Sequence, residues 1–366
     1  MRAGLLMVFQ NFMDSITDRE AYERDVYLAG LAEPLGFDTL SGVEHHFFNY
    51  AMAPDNTQFL SYMAAVTNRI KLLTGAVILP WNNPLRVVEK MILLDHLSKG
   101  RAVFGIGRGL AKREYDRFGI DMNEARDRFD EAAEMIMRGL ETGIVEGEGK
   151  FYKQMRTEVR PKPYASFKDR FYCVAMSSDS VPVCARLGAT MMSFAQKPWE
   201  QMAGHFNTYR SLFEQQQHRP APPPVCVDFL CCSASAEKAE KLAREHMSNY
   251  YMTVMQHYDM AGDHFKKMKG YGDYATNAAL LKDIGLQDAA NGFTDINTWG
   301  TPKQILEKLE QRRRALGPFD LTVQVSYGGM THENAEKSIR LFAKEVLPEF
   351  QSWKEDAPAQ ARVANA

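Results

Sequence analysis

Four places in this 366-residue chain gather side chains able to do chemistry together. Val43-Glu44-His45-His46-Phe47 sets two imidazoles side by side after an apolar run. An imidazole exchanges a proton near neutral pH. Consecutive residues at a strand end point to opposite sides, so one ring can face a site while the other packs. A histidine in such a place is often structural, and position alone supports either role. Phe104-Gly105-Ile106-Gly107-Arg108-Gly109-Leu110 places an arginine among glycines. Glycine lets backbone approach a ligand closely, and a guanidinium can grip a phosphate through two parallel hydrogen bonds. A plain turn with a surface arginine has the same composition. Arg126 stands three residues before Phe129, on the inner side of an amphipathic segment. A guanidinium with a buried stem calls for an anion, either a ligand or a neighbouring acid. Met176-Ser177-Ser178-Asp179-Ser180 offers hydroxyls and free amides where a helix begins, which makes an anion site or an ordinary N-cap. The last three places together suit one phosphate dianion better than a metal. No His/Asp/Glu cluster has ligand spacing, so no metal is expected. No GxSxG or Walker-type motif occurs either.

These residues need a frame, and the hydrophobic pattern supplies one. Apolar runs at Ala3–Phe9, Phe37–Val43, Ile70–Leu79, Arg101–Ile106, Phe171–Ala175, Thr190–Phe194, Val225–Cys232 and Leu321–Val325 read as eight strands. Helical patterns lie between them. Thr17-Asp18-Arg19-Glu20 resembles a capping box opening a helix with Tyr22, Val26, Ala29 and Ala32 on one face, stopped by Gly36. A second helix holds Phe59, Met63 and Val66, a third runs from Pro84 until Ser98-Lys99-Gly100, and a fourth spans Asp121–Leu140. Further helices fall near Val181–Arg186, 198–217, 236–254, 302–315 and 332–346. Alternating strands and helices in this number predict an α/β protein, a (β/α)8 TIM barrel. Such barrels build their sites at the C-terminal ends of the strands, where all four places fall. The rival doubly wound fold lacks its GxGxxG signature, because the glycines of 105–109 have the wrong spacing. We expect one domain over residues 1–350. Residues 255–300, long and without clean periodicity, form a lid, and 351–366 a tail.

Composition removes other classes. A net charge of −2 gives no field for nucleic acid or anionic membrane. No run of 18 apolar residues exists, and MRAGLLMVFQNF reads as a first strand, not a leader, so a cytoplasmic enzyme is expected. The five cysteines are odd in number, lack CxxC spacing and sit in apolar runs, which predicts buried free thiols.

The segments Glu44-His45-His46-Phe47, Asn83-Pro84-Leu85-Arg86, Leu93-Leu94-Asp95-His96-Leu97-Ser98-Lys99-Gly100-Arg101, Phe104–Leu110, Phe118-Gly119-Ile120-Asp121-Met122-Asn123 with Arg126, and Gly300-Thr301-Pro302 resemble the bacterial luciferase family of flavin-dependent monooxygenases. The similarity is to its catalytic alpha subunit. It is dense over residues 1–195, thins in the middle and returns near 300–350. The resemblance implies a monooxygenase that takes reduced FMN from a separate reductase. With O2, through a flavin C4a-peroxide, it would oxygenate a small, mostly apolar substrate. It implies that Arg108, Arg126, Ser177 and Ser180 hold the FMN phosphate, with Gly107 and Met176 beside the cofactor. It implies that His45 is catalytic, that Gly75-Ala76 forms a non-proline cis peptide under the flavin ring, that the lid is mobile and that the chain forms a homodimer. The luciferases carry a Cys where this chain has Gly107, a Tyr at Ala111 and an acid at Met176, and their Trp near Phe194-Ala195 is replaced. An oxygenase without strong light emission is therefore expected. An F420-dependent oxidoreductase on the same fold is the alternative enzyme. A non-catalytic flavin-binding partner subunit is a third reading, against which His45 argues.

Overall fold

The computed structural model describes residues 1–260 and 262–354, at 277–282 the backbone only. Eight parallel strands close on themselves: β1 (Ala3–Met7), β2 (Thr39–Gly42), β3 (Lys71–Thr74), β4 (Ala102–Gly107), β5 (Phe171–Val174), β6 (Thr190–Phe194), β7 (Val225–Cys232) and β8 (Asp320–Gln324). Each pairs with the next, and β8 returns to β1 with Ala3 opposite Leu321. The (β/α)8 barrel read from the sequence is the observed fold.

The strands were legible because a parallel strand under helices is buried on both faces and reads as an unbroken apolar run. All eight residues of β7 and all six of β4 are buried. The helix predicted from Pro84 spans Pro84–Leu97, with Asn83 capping Arg86 N and Gly100 in the left-handed region beyond it. Thr17 likewise caps Glu20 N at the start of the Asp18–Gly30 helix. That helix stops at Gly30, ahead of the expected Gly36, and Tyr22 lies at its exposed edge. Val66 also departs from the inner face given it, being 57% exposed.

Four differences have local causes. The long third run divides into β3 and a short piece, Val77–Ile78, at the cis Gly75–Ala76 peptide. There Thr74 Oγ1 accepts from Gly105 N at 2.8 Å and donates to Gly105 O at 2.9 Å, standing in for the backbone ladder. A Cβ on Gly105 would fall 2.0 Å from Thr74 O, so only glycine fits. The Asp121–Leu140 helix opens with a tight turn, Met122–Glu124, before the regular Ala125–Thr142. A hairpin, Ile144–Glu148 with Lys153–Glu158, fills the stretch before β5. It is mostly polar, with a single buried strand residue, so no apolar run announces it. Finally, residues 255–300 hold two helices, Gly272–Ile284 and Leu286–Ile296, and a short strand, Thr298–Gly300, added beside β7. At the chain's end the helix Leu347–Ser352 runs into the predicted tail and Trp353 packs on Phe350; residues 355–366 lie outside the described ones. Among the described residues no helix is long and apolar enough to cross a membrane. All five cysteines are free and buried.

Candidate active site

A cavity of about 580 Å³ opens at the C-terminal ends of the barrel strands. That size suits a cofactor-sized ligand. The end of β4 and the loop after it bring Gly107 and Arg108 to its wall, the Ala125–Thr142 helix Arg126, and the turn after β5 that opens the Ser180–Arg186 helix Met176, Ser177 and Ser180. His45 after β2 and Gly75 and Ala76 after β3 border the same space. The sequence therefore named nine residues that the fold brings around one cavity.

Two groups of side chains stand out on the wall. One is Arg108 and Arg126. Arg108 Nη1 and Arg126 Nη2 are both buried with no hydrogen-bond partner. Burial, then the neighbouring Arg108 charge, lowers the Arg126 pKa. Two unsatisfied guanidinium donors facing one space form a strong receptor for an anion, and a phosphate dianion satisfies both. Gly109 makes the turn possible, with a φ of 81° that favours glycine. Ser177 and Ser180 border the same cavity, and the Ser180 hydroxyl donates to Ser177 O at 3.0 Å. Their hydroxyl oxygens lie 3.0 Å apart, and Ser180 Oγ accepts from the amides of Met176 and Ser177 at 3.0 Å. A segment from the predicted lid reaches Arg108 and Ser178. Arg108 Nη2 donates to Gly270 O at 2.9 Å, its guanidinium lies 3.9 Å from the Tyr271 ring centre, and Asp273 accepts from Ser178 N at 2.9 Å.

In the second group His45 meets three partners that sequence reasoning missed. Its Nδ1 lies 3.0 Å from Glu114 Oε1, and its Nε2 3.2 Å from the Tyr258 hydroxyl. Glu114 comes from the short Lys112–Phe118 helix and also accepts from His46 N at 2.8 Å. His257 stacks on Tyr50 at 4.3 Å and lies 3.7 Å from the same Glu114 oxygen, with no hydrogen-bond partner on either ring nitrogen. Burial pushes the Glu114 carboxyl up, but His45 and His257 outweigh it and hold the group well below the usual carboxylate range. Burial lowers His257 to about 4, so its ring is neutral at neutral pH. His46 points away, with Nε2 3.2 Å from Glu44, among Trp81 and Phe118. Glu44 in turn accepts from Ile78 N, Trp81 Nε1 and Asn82 Nδ2, which fixes the loop on which His45 stands.

The ligand atoms of His45, Glu114 and His257 lie within 4.8 Å of one another, the grouping with ligand spacing among the described residues. Segments far apart in sequence supply them, which is why spacing gave no sign of it. The direct His45–Glu114 hydrogen bond has the geometry of an acid–base pair, in which a carboxylate fixes one ring nitrogen and the other can exchange a proton. Nothing in the sequence set Glu114 apart from its acidic neighbours. Tyr258 lay in a stretch read as lid.

Known proteins share this sequence pattern and fold. The luciferase-like monooxygenase family matches residues 1–318. The alkanal monooxygenase alpha chain of Photorhabdus laumondii is 25% identical over 93% of this chain and 97% of its own length. The oxygenase component of the flavin-dependent trigonelline monooxygenase of Acinetobacter baylyi is 24% identical over 97% of each chain. Among solved structures, monooxygenase RslO1 from Streptomyces bottropensis superposes with a TM-score of 0.77 at 26% identity, covering 96% of this chain and all of its own. The fold is shared more widely. The oxygenating constituent of 3,6-diketocamphane monooxygenase from Pseudomonas putida, solved with FMN, gives 0.76 at 17% identity, covering 95% of this chain and 99% of its own. The F420-dependent tetrahydromethanopterin reductase of Methanopyrus kandleri gives 0.69 at 20%, covering 95% and 99%. Matched by one family over most of its length, with the barrel and cavity in place, this chain belongs to the luciferase-like monooxygenases.

Proposed function

We propose that this protein is the oxygenase component of a two-component flavin monooxygenase. It takes up reduced FMN made by a separate reductase and inserts one atom of O2 into a small, mostly apolar organic molecule. The observation that carries this reading is one cavity bordered both by two unpartnered arginine donors and by His45. The residues fit FMN: Arg108, Arg126, Ser177 and Ser180 would hold the phosphate, and Gly75, Ala76, Gly107 and Met176 would border the ring system. Reduced FMN, when bound, supplies two electrons and activates O2, so that one oxygen atom enters the substrate and the other leaves as water. The chain supplies position and proton control. Phe194, Phe229, Tyr250 and Phe293 border the cavity with apolar surface, which excludes water and seats an apolar substrate. His45, oriented by Glu114, holds or releases a proton at Nε2. The relative described as an oxygenase component supports the reductase partner, and the free thiols fit a cytoplasmic enzyme.

The test supplies reduced FMN under 18O2 with aldehydes, ketones and aromatic substrates, and in parallel reduced F420 without air. Label from O2 in a product supports the proposal. Turnover with F420 alone would replace it with a hydride-transfer reading, and no product with either would favour a non-catalytic flavin-binding subunit. The phosphate assignment has its own test. Arg108→Ala should weaken reduced-FMN binding by about 1.5–3 kcal/mol, as for lost charge-assisted hydrogen bonds, and leave riboflavin nearly unaffected. Equal losses for both would refute the phosphate site.

A further inference from the structure

Tyr258 occupies an unusual position. It follows directly on the long Ala236–His257 helix, at the point where the chain enters the lid segment. Its ring borders the cavity, and its hydroxyl is 3.2 Å from His45 Nε2. The other ring nitrogen of His45 is already committed to Glu114. A carboxylate held ionised accepts a hydrogen bond, so it selects the tautomer with the proton on Nδ1. Nε2 is then an acceptor, and the group donating to it is the Tyr258 phenol. Burial, and then the neighbouring Tyr250, raise the Tyr258 pKa well above its ordinary value, so this hydroxyl keeps its proton. Tyr50 packs edge-on to Tyr258 and bonds Tyr250 at 2.8 Å, closing the far side with phenols.

We propose that Tyr258 is a proton relay: carboxylate, imidazole and phenol form one chain, Glu114–His45–Tyr258, whose outer end is the hydroxyl of a residue on the cavity wall. The idea rests on the reading of His45 as the acid–base group. A proton arriving at the Tyr258 oxygen from a reacting group releases the phenol proton to His45 Nε2. Glu114 stays ionised and balances the imidazolium charge, and no electrons move. The reverse transfer delivers a proton. The chain is complete only when the start of the lid segment is seated. Proton transfer is thereby tied to the same segment that reaches Arg108.

Tyr258→Phe removes one oxygen and keeps the ring against Tyr50 and His257. The first readout needs no flavin: 15N-histidine NMR of the full-length protein. The His45 Nε2 resonance should move towards that of a free, unprotonated ring nitrogen, while the Nδ1–H signal stays. The second readout is product formed per flavin oxidised. It should fall on the order of 10²-fold, with reduced-FMN binding unchanged. In the double variant with His45→Ala the loss should be no greater than for His45→Ala alone, because both residues act in one chain. An unchanged His45 spectrum in Tyr258→Phe, or losses that multiply in the double variant, would overturn the relay. A loss in His45→Ala with none in Tyr258→Phe sinks the relay alone. Full coupling in His45→Ala sinks the reading of the histidine itself.

Discussion

At the scale of single residues, His45 carries the heaviest claim. Changing it to Ala removes a proton acceptor and leaves the two arginines intact, so reduced FMN should still bind. Product should fall by roughly 10²–10⁴-fold, the usual cost of losing a general acid or base. Oxygen should still disappear, and the electrons should be recovered as H2O2. Retained coupling would make the residue structural. His257 makes a different kind of claim. Burial depresses its pKa from 6.5 to about 4. The folded protein therefore refuses a proton that the unfolded chain accepts. This contribution to stability is complete above pH 6.5 and is lost as pH falls towards 4, amounting to about 3 kcal/mol. His257→Phe keeps the stacking on Tyr50 and should flatten the melting temperature between pH 6.5 and 4; an unchanged slope would refute the assignment. His45 could be found from its place after a strand. Its partner Glu114 lies 69 residues away and meets it only through the fold.

At the scale of elements, the segment 255–300 separates what a sequence reveals from what it hides. Its lack of clean periodicity pointed away from a barrel helix, yet it is helical. It packs a small cluster of its own, Met260, Phe265 and Tyr271 with Tyr115 and Met122, and these scattered positions do not repeat at 3.6. The strands had no such difficulty, because burial on both faces is written into every residue. If the segment is a lid, limited proteolysis should place its first internal cut between 255 and 300, and FMN with substrate should slow that cut. A first internal cut in another loop, unaffected by ligand, would exclude it. The contacts of Gly270 and Tyr271 with Arg108 give the protection a cause.

At the scale of the whole molecule, the chain leaves an apolar surface on its outside. Most of the Pro84–Leu97 helix packs on its own barrel, with Val88, Met91 and Ile92 fully buried. Leu93 and Leu97, however, are 50% and 53% exposed, and Tyr62 and Val66 project from the adjoining Asn56–Val66 helix. We expect a homodimer through these two helices. Light scattering should give twice the 41.5 kDa chain mass, and Leu93→Glu with Leu97→Glu should return it to that mass without loss of fold. A wild-type monomer at micromolar concentration would rule this out. Barrel topology was legible because it follows from local alternation. Association was not, because an exposed leucine looks the same in a sequence whether or not a second chain covers it.

The buried cysteines acquire a meaning in this setting. An oxygenase that leaks H2O2 is exposed to its own oxidant, and the thiolate is the form that reacts. Burial pushes Cys226, Cys231 and Cys232 up to about 12 and Cys184 well above its ordinary value, so almost none of these thiols is ionised at neutral pH. At position 107, where the resembling luciferases carry a cysteine, this chain has a glycine. Cys173 is the one thiol left on the cavity wall. If the proposed oxygenase releases H2O2 into the cavity, Cys173 is the thiol that meets it first, while the other four are shielded by burial.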